Sequence, residues 1–201
     1  MHPILFHFFG LPVFAYGTAI AVSFAFAAWH VRKLAMKEGV KGDGVIDAAI
    51  VAMLSGVVGA RLFFVFQPDE WSSHYSKHPA DIFKIWEGGL TFYGGILACF
   101  VTVPFVFRRH KMPFWPVADC FAPSLAFGQI IVRLGCFLNG CCYGKPAGWG
   151  VVFPEVDKLA RQPSQLYESA AGIAVFAFLL WLHPRRRFSG QTILSYLILY
   201  A

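Results

Sequence analysis

Hydrophobic residues in this chain gather into long runs separated by short polar links. The runs cover about 13–29, 45–66, 94–107, 116–138 and 169–182, and another starts at Gly190. A helix needs about 20 apolar residues to cross the hydrocarbon of a bilayer, so the pattern predicts spanning helices. Ile4 to Gly10 is apolar too, but Gly10 and Pro12 separate it from the run that begins at Val13, and it reads as a short interfacial segment. The stretch 67–90 is a long mixed loop. It ends in a run where Gly88-Gly89 and Gly94-Gly95 bracket Tyr93, which predicts a tight re-entrant turn into the third span. The last run has only twelve residues from Gly190 to Ala201, so a sixth span is expected to continue in a longer protein.

Composition supports this pattern. Hydrophobic residues make up 57% of the chain and charged residues 14%, whereas soluble domains sit near 25% charged. The reading is an all-α integral membrane protein: a polytopic helical bundle of about six spans in one membrane-embedded domain, 1–201. The net charge of +6 does not indicate nucleic acid, because the basic residues sit in links between apolar runs rather than on one amphipathic face. No Lys or Arg precedes Arg32 and no small-residue cleavage site follows an apolar core, so the first run is expected to be retained as a helix. The links after the first, third and fifth runs carry ten Lys and Arg, and those after the second and fourth carry five. That asymmetry puts the first set in the cytoplasm and the N-terminus outside. Tyr16, the glycine-bracketed loop, the stretch around Arg133 and the run Gln165–Glu168 then all lie toward the outer face.

Gly128 to Gly144, GQIIVRLGCFLNGCCYG, departs most from a helix that only spans lipid. Arg133 lies inside its apolar part, where an ionised side chain costs about 2.5–3.5 kcal/mol on insertion scales. Two readings are open: an arginine that snorkels or pairs with a buried acid, and an anion site at the end of a membrane helix. Arg61, in the second run, is a second arginine of the same kind. Guanidinium groups fork phosphate bidentately and keep their charge in a low dielectric, so the pair suits the phosphate of a lipid head group. Gly94, Gly95 and Gly144 would let backbone approach that head group. Tyr16, Tyr93, Tyr143, Tyr167, Asn139 and Gln165 offer neutral hydrogen bonds, although tyrosines also serve as interfacial belts. Glu168, at the head of the fifth run, could pair with an arginine or act as a base.

Five cysteines stand at 99, 120, 136, 141 and 142. Cys99 and Cys120 read as small hydrophobes. C-x4-C-C is not a standard zinc spacing and no His pair accompanies it, so the expectation is no metal and no cofactor. A disulfide from Cys136 to Cys141 or Cys142 is possible on an oxidising side.

These residues resemble the bacterial prolipoprotein diacylglyceryl transferase family. Its G-R-x-G-N-F-x-N-G-E-x-x-G signature aligns with VRLGCFLNGCCYG, matching Arg133, Gly135, Phe137, Asn139, Gly140 and Gly144. GGLTFYGG is similar to the family's G-G-x-S-F-H-G-G, and RQPSQLYE to its R-H-P-S/T-Q-L-Y-E. The opening HPILFHFFGLPVFAYG and the arginine of Gly59-Ala60-Arg61 also fit. The resemblance implies seven spans in the full protein, N-terminus outside, in the bacterial inner membrane with the site toward the periplasmic face. It implies transfer of diacylglyceryl from phosphatidylglycerol to the cysteine thiol of a prolipoprotein signal peptide, leaving a thioether and glycerol phosphate. Arg133 would grip the phosphate with Arg61 assisting, and Asn139, Tyr16 and Gln165 would orient lipid and peptide. Gly94, Gly95, Gly144 and Tyr167 complete the expected substrate contacts, with membrane lipids around them.

The chain departs from the signature at Cys136 (Asn in the family) and Cys141 (Glu). Tyr93 and Gln162 replace two family histidines. A histidine base suits a thiol, whereas tyrosine, with an ordinary pKa near 10, needs a cation beside it. Glu168 or a polarised Tyr93 therefore becomes the candidate base beside Arg133. Tyr196 or Tyr200 corresponds to a family tyrosine in the sixth span. Three rival readings are a membrane thiol–disulfide oxidoreductase using Cys136, Cys141 and Cys142, a lipid or solute transporter, and a noncatalytic phospholipid-binding relative. The first lacks a C-x-x-C pair and the second lacks internal repeats.

Overall fold

The computed structural model describes residues 4–8, 11–84, 89–154, 156 and 158–200. His2, Pro3, Gly10, Trp86, Glu87 and Gly88, which entered the sequence reading, lie outside the described residues. Five described helices are long and apolar enough to cross a membrane: α1 (Ala15–Lys37), α2 (Gly42–Val65), α3 (Phe92–Arg109), α4 (Phe114–Asn139) and α5 (Ser164–Leu182). A sixth apolar helix, α6, covers Gln191–Tyr200. The protein is therefore a polytopic helical membrane protein, as the apolar runs predicted. The chain forms two compact units, one of Met1–Glu38 with Trp115–Ala201 and one of Gly39–Phe114.

The helices outrun the apolar stretches that announced them. α1 continues past Trp29, so Arg32, Lys33 and Lys37 are helical. Lys33 lays its ammonium over the Trp29 ring, 5.2 Å from the centroid, which suits a lysine stem on an apolar surface. The segment before α1 is an antiparallel hairpin of β1 (Ile4–Phe8) and β2 (Leu11–Phe14), with Ile4 opposite Phe14 and Phe6 opposite Val13. A nearly all-apolar sequence shows no period-two alternation, so strands were not legible there.

In the Gly39–Phe114 unit, α2 and α3 pack backbone to backbone. A Cβ on Gly94 would overlap Phe63 and the Gly59 carbonyl, and one on Gly95 would lie 3.0 Å from the Gly56 oxygen. Gly94 and Gly95 are therefore not in a re-entrant turn, because α3 already begins at Phe92. They are the small residues that let two membrane helices touch. The loop after α2 is not plain coil either. It contains a helical turn at Pro68–Glu70, a π-turn at Trp71–Tyr75 and a 3₁₀ turn at Pro79–Phe83.

In the other unit, α4 is the central helix. Gly135 meets α1, where an added Cβ would sit 2.6 Å from Ala19 Cβ and 3.5 Å from Tyr16 Cα. Ser169 on α5 donates to the Ile130 carbonyl at 3.3 Å. Ala122, Ala126, Leu179 and Tyr196 form the apolar core between α4, α5 and α6, with Val175, Phe176 and Ile193 packed on it. Beyond α4, β3 (Pro146–Val152) pairs with β4 (Ala160–Arg161). The buried Phe153 packs against Phe137 and Tyr143.

A polar network joins the ends of α1, α4 and α5. Arg186 donates to Glu38 and lies 3.4 Å from Asp119. Buried Asp119 accepts from the Gly190 and Ile193 amides at 2.7 and 3.0 Å, capping α6. His183 Nε2 stands 3.8 Å from Glu38. The Arg186 hydrogen bond holds the Glu38 carboxyl below the usual range. A lowered folded pKa adds stability that is present above the unfolded value and lost as pH falls through the folded one. Glu38→Gln is expected to lower the unfolding temperature at neutral pH, by about 1–2 kcal/mol in stability. That difference should close below about pH 4. A difference that persists unchanged in acid would show that the carboxylate charge is not what stabilises the fold.

Candidate active site

Arg133 lies six residues before the end of α4, about 9 Å from the helix end at 1.5 Å per residue. It is partly buried, and its Nε stands 2.7 Å from Glu168 Oε2 on the first turns of α5. The two charges form a close ion pair. Arg133 also interacts with the Tyr200 hydroxyl of α6. Of the two sequence readings of Arg133, pairing with an acid is thus part of the geometry. The acid is 43% exposed, so an incoming anion can compete for the guanidinium. Below the pair, a groove of about 340 Å³ is lined by Gln129, Glu168, Gly172, Tyr196 and Tyr200 among others. Its size lies within the range of small-ligand pockets. Gln129 donates to the Tyr200 hydroxyl at 2.6 Å, and the Tyr196 and Tyr200 rings stack at 5.7 Å. Gln129 is not among the residues that the sequence singles out. Its signal was its spacing: Gln129, Arg133 and Cys136 fall at i, i+4 and i+7, one helix face.

The end of α4 turns back on itself. Gly140 adopts φ +75°, the Gly140 amide donates to Phe137 and the Cys141 amide to Cys136, a Schellman ending that favours glycine. Cys142 is also left-handed, φ 64°, uncommon for a residue with a side chain. Two α5 residues fix this loop. Ser164 donates to the Cys142 carbonyl at 2.8 Å, and Gln165 to the Cys141 carbonyl at 2.6 Å. Gln165 is fully buried, and its Oε1 has no partner among the described residues. Gln165, expected to orient substrate, holds the loop through its amide nitrogen and keeps one buried acceptor without a partner among the described residues. Gly144 continues the same clamp. Its amide donates to the Gln162 carbonyl, and a Cβ there would stand 3.0 Å from Gln162 Cβ. Its backbone therefore approaches the start of α5.

The loop gathers the three cysteines. All five cysteines are free, so the disulfide considered from sequence is not present. The sulfurs of Cys136, Cys141 and Cys142 lie within 4.8 Å of one another. Cys136 is buried and Cys142 exposed. Burial pushes the Cys142 thiol up while Arg133 pulls the other way. Among the described residues this trio is the group able to hold a metal ion. Tyr16, on the first turn of α1, lies within electrostatic reach of the three cysteines and Arg133. Asn139 ends α4 beside them. Tyr167 is 46% exposed and its ring lies 6.3 Å from Trp149.

The remaining expected residues belong to the Gly39–Phe114 unit. Arg61 is buried, and its guanidinium donates to the carbonyls of Asp81, Ile82, Lys84 and Gly89 at 2.7–3.2 Å. The Tyr75 ring covers it at 5.4 Å. These bonds fold the loop after α2, and a guanidinium that donates to four carbonyls has few donors left over. Tyr93 is 70% exposed and its ring packs against Phe92. Gly94 and Gly95 are used in the packing of α3 on α2. Arg133, Glu168, Tyr16, Gln165, Asn139 and the cysteine loop therefore share one unit, while Arg61, Tyr93, Gly94 and Gly95 share the other.

The fold and this site define a polytopic membrane protein with an acid–arginine pair over a groove between spanning helices. The family model described as prolipoprotein diacylglyceryl transferase matches residues 3–201. A phosphatidylglycerol–prolipoprotein diacylglyceryl transferase of Finegoldia magna is 32% identical over 203 residues, covering 100% of this chain and 79% of the relative. The enzyme of the same name from Legionella pneumophila is 34% identical over 211 residues, 100% and 80% of the two chains. That from Aromatoleum aromaticum is 42% identical over 147 residues, 70% and 54%. The chain belongs to the prolipoprotein diacylglyceryl transferase family.

Proposed function

We infer that this protein transfers the diacylglyceryl group of phosphatidylglycerol to the cysteine thiol of a prolipoprotein, releasing glycerol phosphate. Family membership and the names of its relatives support that activity, and nothing favours the oxidoreductase or noncatalytic readings. The whole chain acts as one transferase domain in the bacterial inner membrane, with its site toward the outer face. It takes the peptide at the lipobox of a signal sequence, among membrane lipids.

The observation that carries the mechanism is the Arg133–Glu168 pair at 2.7 Å. The phosphate of the lipid head group displaces Glu168 from Arg133, because bidentate guanidinium–phosphate bonding in a low dielectric is strong. The same displacement frees a carboxylate to take the proton of the attacking thiol. The thiolate sulfur then bonds to the glyceryl carbon, and the carbon–oxygen bond to phosphate breaks. Negative charge grows on the departing glycerol phosphate, where Arg133 stabilises it. Tyr16 and Asn139 orient the reactants, and Gln165, Gly144 and Ser164 position the loop that carries Cys141 and Cys142. Arg61 organises the loop after α2, and Gly94 and Gly95 seat α3 against α2.

Glu168→Gln tests this coupling. It is expected to lower kcat by about 10²-fold, the lower end for loss of a general base. The KM for phosphatidylglycerol should stay unchanged or fall, because Arg133 is released for phosphate. A variant that turns over at the parental rate would remove Glu168 from the chemistry.

A further inference from the structure

We propose that Cys136, Cys141 and Cys142 form a three-thiolate site for a zinc-class metal ion, with a fourth position for the thiol of the incoming peptide; the fourth ligand rests on the transferase reading above. The three sulfurs already converge, all within 4.8 Å of one another. Cys141 and Cys142 Sγ stand 3.7 Å apart. Four sulfurs at the usual Zn–S distance of about 2.3 Å in a tetrahedron lie about 3.8 Å apart. The ligand set is nearly formed without the ion.

Several features of the loop suit this use. Its shape does not depend on the metal: the Schellman ending of α4 and the Gln165 and Ser164 hydrogen bonds fix it. Cys142 takes a left-handed conformation, which costs about 1 kcal/mol or more for a residue with a Cβ and turns its sulfur back toward Cys141. Burial runs from Cys136, closed in, to Cys142, open. A structural zinc site is closed by four protein ligands, whereas a reactive one keeps an open position. Thiolates select soft and borderline ions over magnesium or calcium. Three thiolates and one dication carry one net negative charge, and Arg133, one turn before Cys136 on the same helix face, compensates it.

The site supplies thiol activation by the charge of the ion, with Glu168 left to take the proton. An ion in this position lowers the pKa of a coordinated thiol, as thiols bind metals deprotonated. The peptide thiol enters the fourth position and its proton passes to Glu168. The sulfur attacks the glyceryl carbon, a carbon–sulfur bond forms and the carbon–oxygen bond breaks. The electron pair leaves with glycerol phosphate, which takes the proton from Glu168. No electrons are exchanged with a further partner.

The test is a titration of the reduced, metal-free full-length protein in detergent with Co²⁺ alone. The expected result is a thiolate-to-cobalt charge-transfer band with tetrahedral d–d bands, saturating at one equivalent and displaced by Zn²⁺. Cys141→Ser and Cys142→Ser should each weaken binding by at least about tenfold, while Cys99→Ser leaves it unchanged. A lipobox peptide should shift the d–d bands, and its Cys→Ser version should not. The absence of the bands, their survival in both serine variants, or a disulfide within the trio of protein purified without reductant would overturn the proposal. The transferase reading is tested separately. Full-rate adduct formation by chelator-treated protein would keep that reading and refute the metal's part, whereas cobalt bands without any adduct would keep the metal site and refute the reading.

Discussion

Arg133→Ala is expected to cut diacylglyceryl transfer by about 10³-fold while the protein still inserts and folds. A cation aimed at charge that develops as phosphate departs is worth about 10²–10³ in kcat for one donor and up to about 10⁵ for an arginine on phosphoryl groups. Arg133 qualifies because it lies inside the apolar helix α4, is partly buried and is paired with one exposed acid. Removing it leaves Glu168 unpaired, but that carboxylate is 43% exposed and can be solvated, so the fold should survive. Arg133→Lys separates charge from geometry. A lysine keeps the charge but loses the planar fork, and it should recover only part of the rate. Thermal unfolding in detergent alongside the kinetics distinguishes lost chemistry from lost structure. Parental transfer by Arg133→Ala would sink the phosphate grip.

The largest effect on stability is expected at Gly94. A leucine there would drive its side chain into Phe63 and the Gly59 carbonyl, and backbone at a helix crossing has nowhere to yield. Overpacking typically costs about 1–3 kcal/mol and more where relaxation is blocked, so Gly94→Leu is expected to lose about 3 kcal/mol or more. For a unit of this size that lowers the unfolding temperature by about 12 °C or more. Gly17→Ala is the contrasting case, since nothing lies within 4 Å of a Cβ at that position in α1. It should be neutral or slightly stabilising. Equal unfolding temperatures for the Gly94 variant and its parent would mean that α2 and α3 do not depend on close backbone contact.

The sequence announced the spans because long apolar runs have few alternatives in a chain so poor in charge. It announced Arg133 for the same reason, since a guanidinium inside such a run stands out. It left the partner open, since Glu168 could pair with an arginine or act as a base. Glu168 is 35 positions further on, and only the packing of α5 on α4, through Ser169 on Ile130 and Gly172 beside it, joins the two. Arg61 looked the same as Arg133 in sequence, yet the structure spends it on four carbonyls. An apolar run with one arginine says nothing about what surrounds the guanidinium. Gly94 and Gly95 read as a turn because paired glycines signal one locally, whereas their use is tertiary. The cysteines read poorly because C-x4-C-C matches no regular spacing. It took a Schellman ending and a left-handed Cys142 to bring the sulfurs together.

Supplying the protein, in membranes, with phosphatidylglycerol and a lipobox peptide, and weighing the product by mass spectrometry, shows whether it is a transferase that works through Arg133. The predicted result is a diacylglyceryl adduct on the peptide's cysteine with release of glycerol phosphate, and its near-complete loss in Arg133→Ala. No adduct from well-inserted parental protein, or an equal amount from the Arg133 variant, would contradict the account.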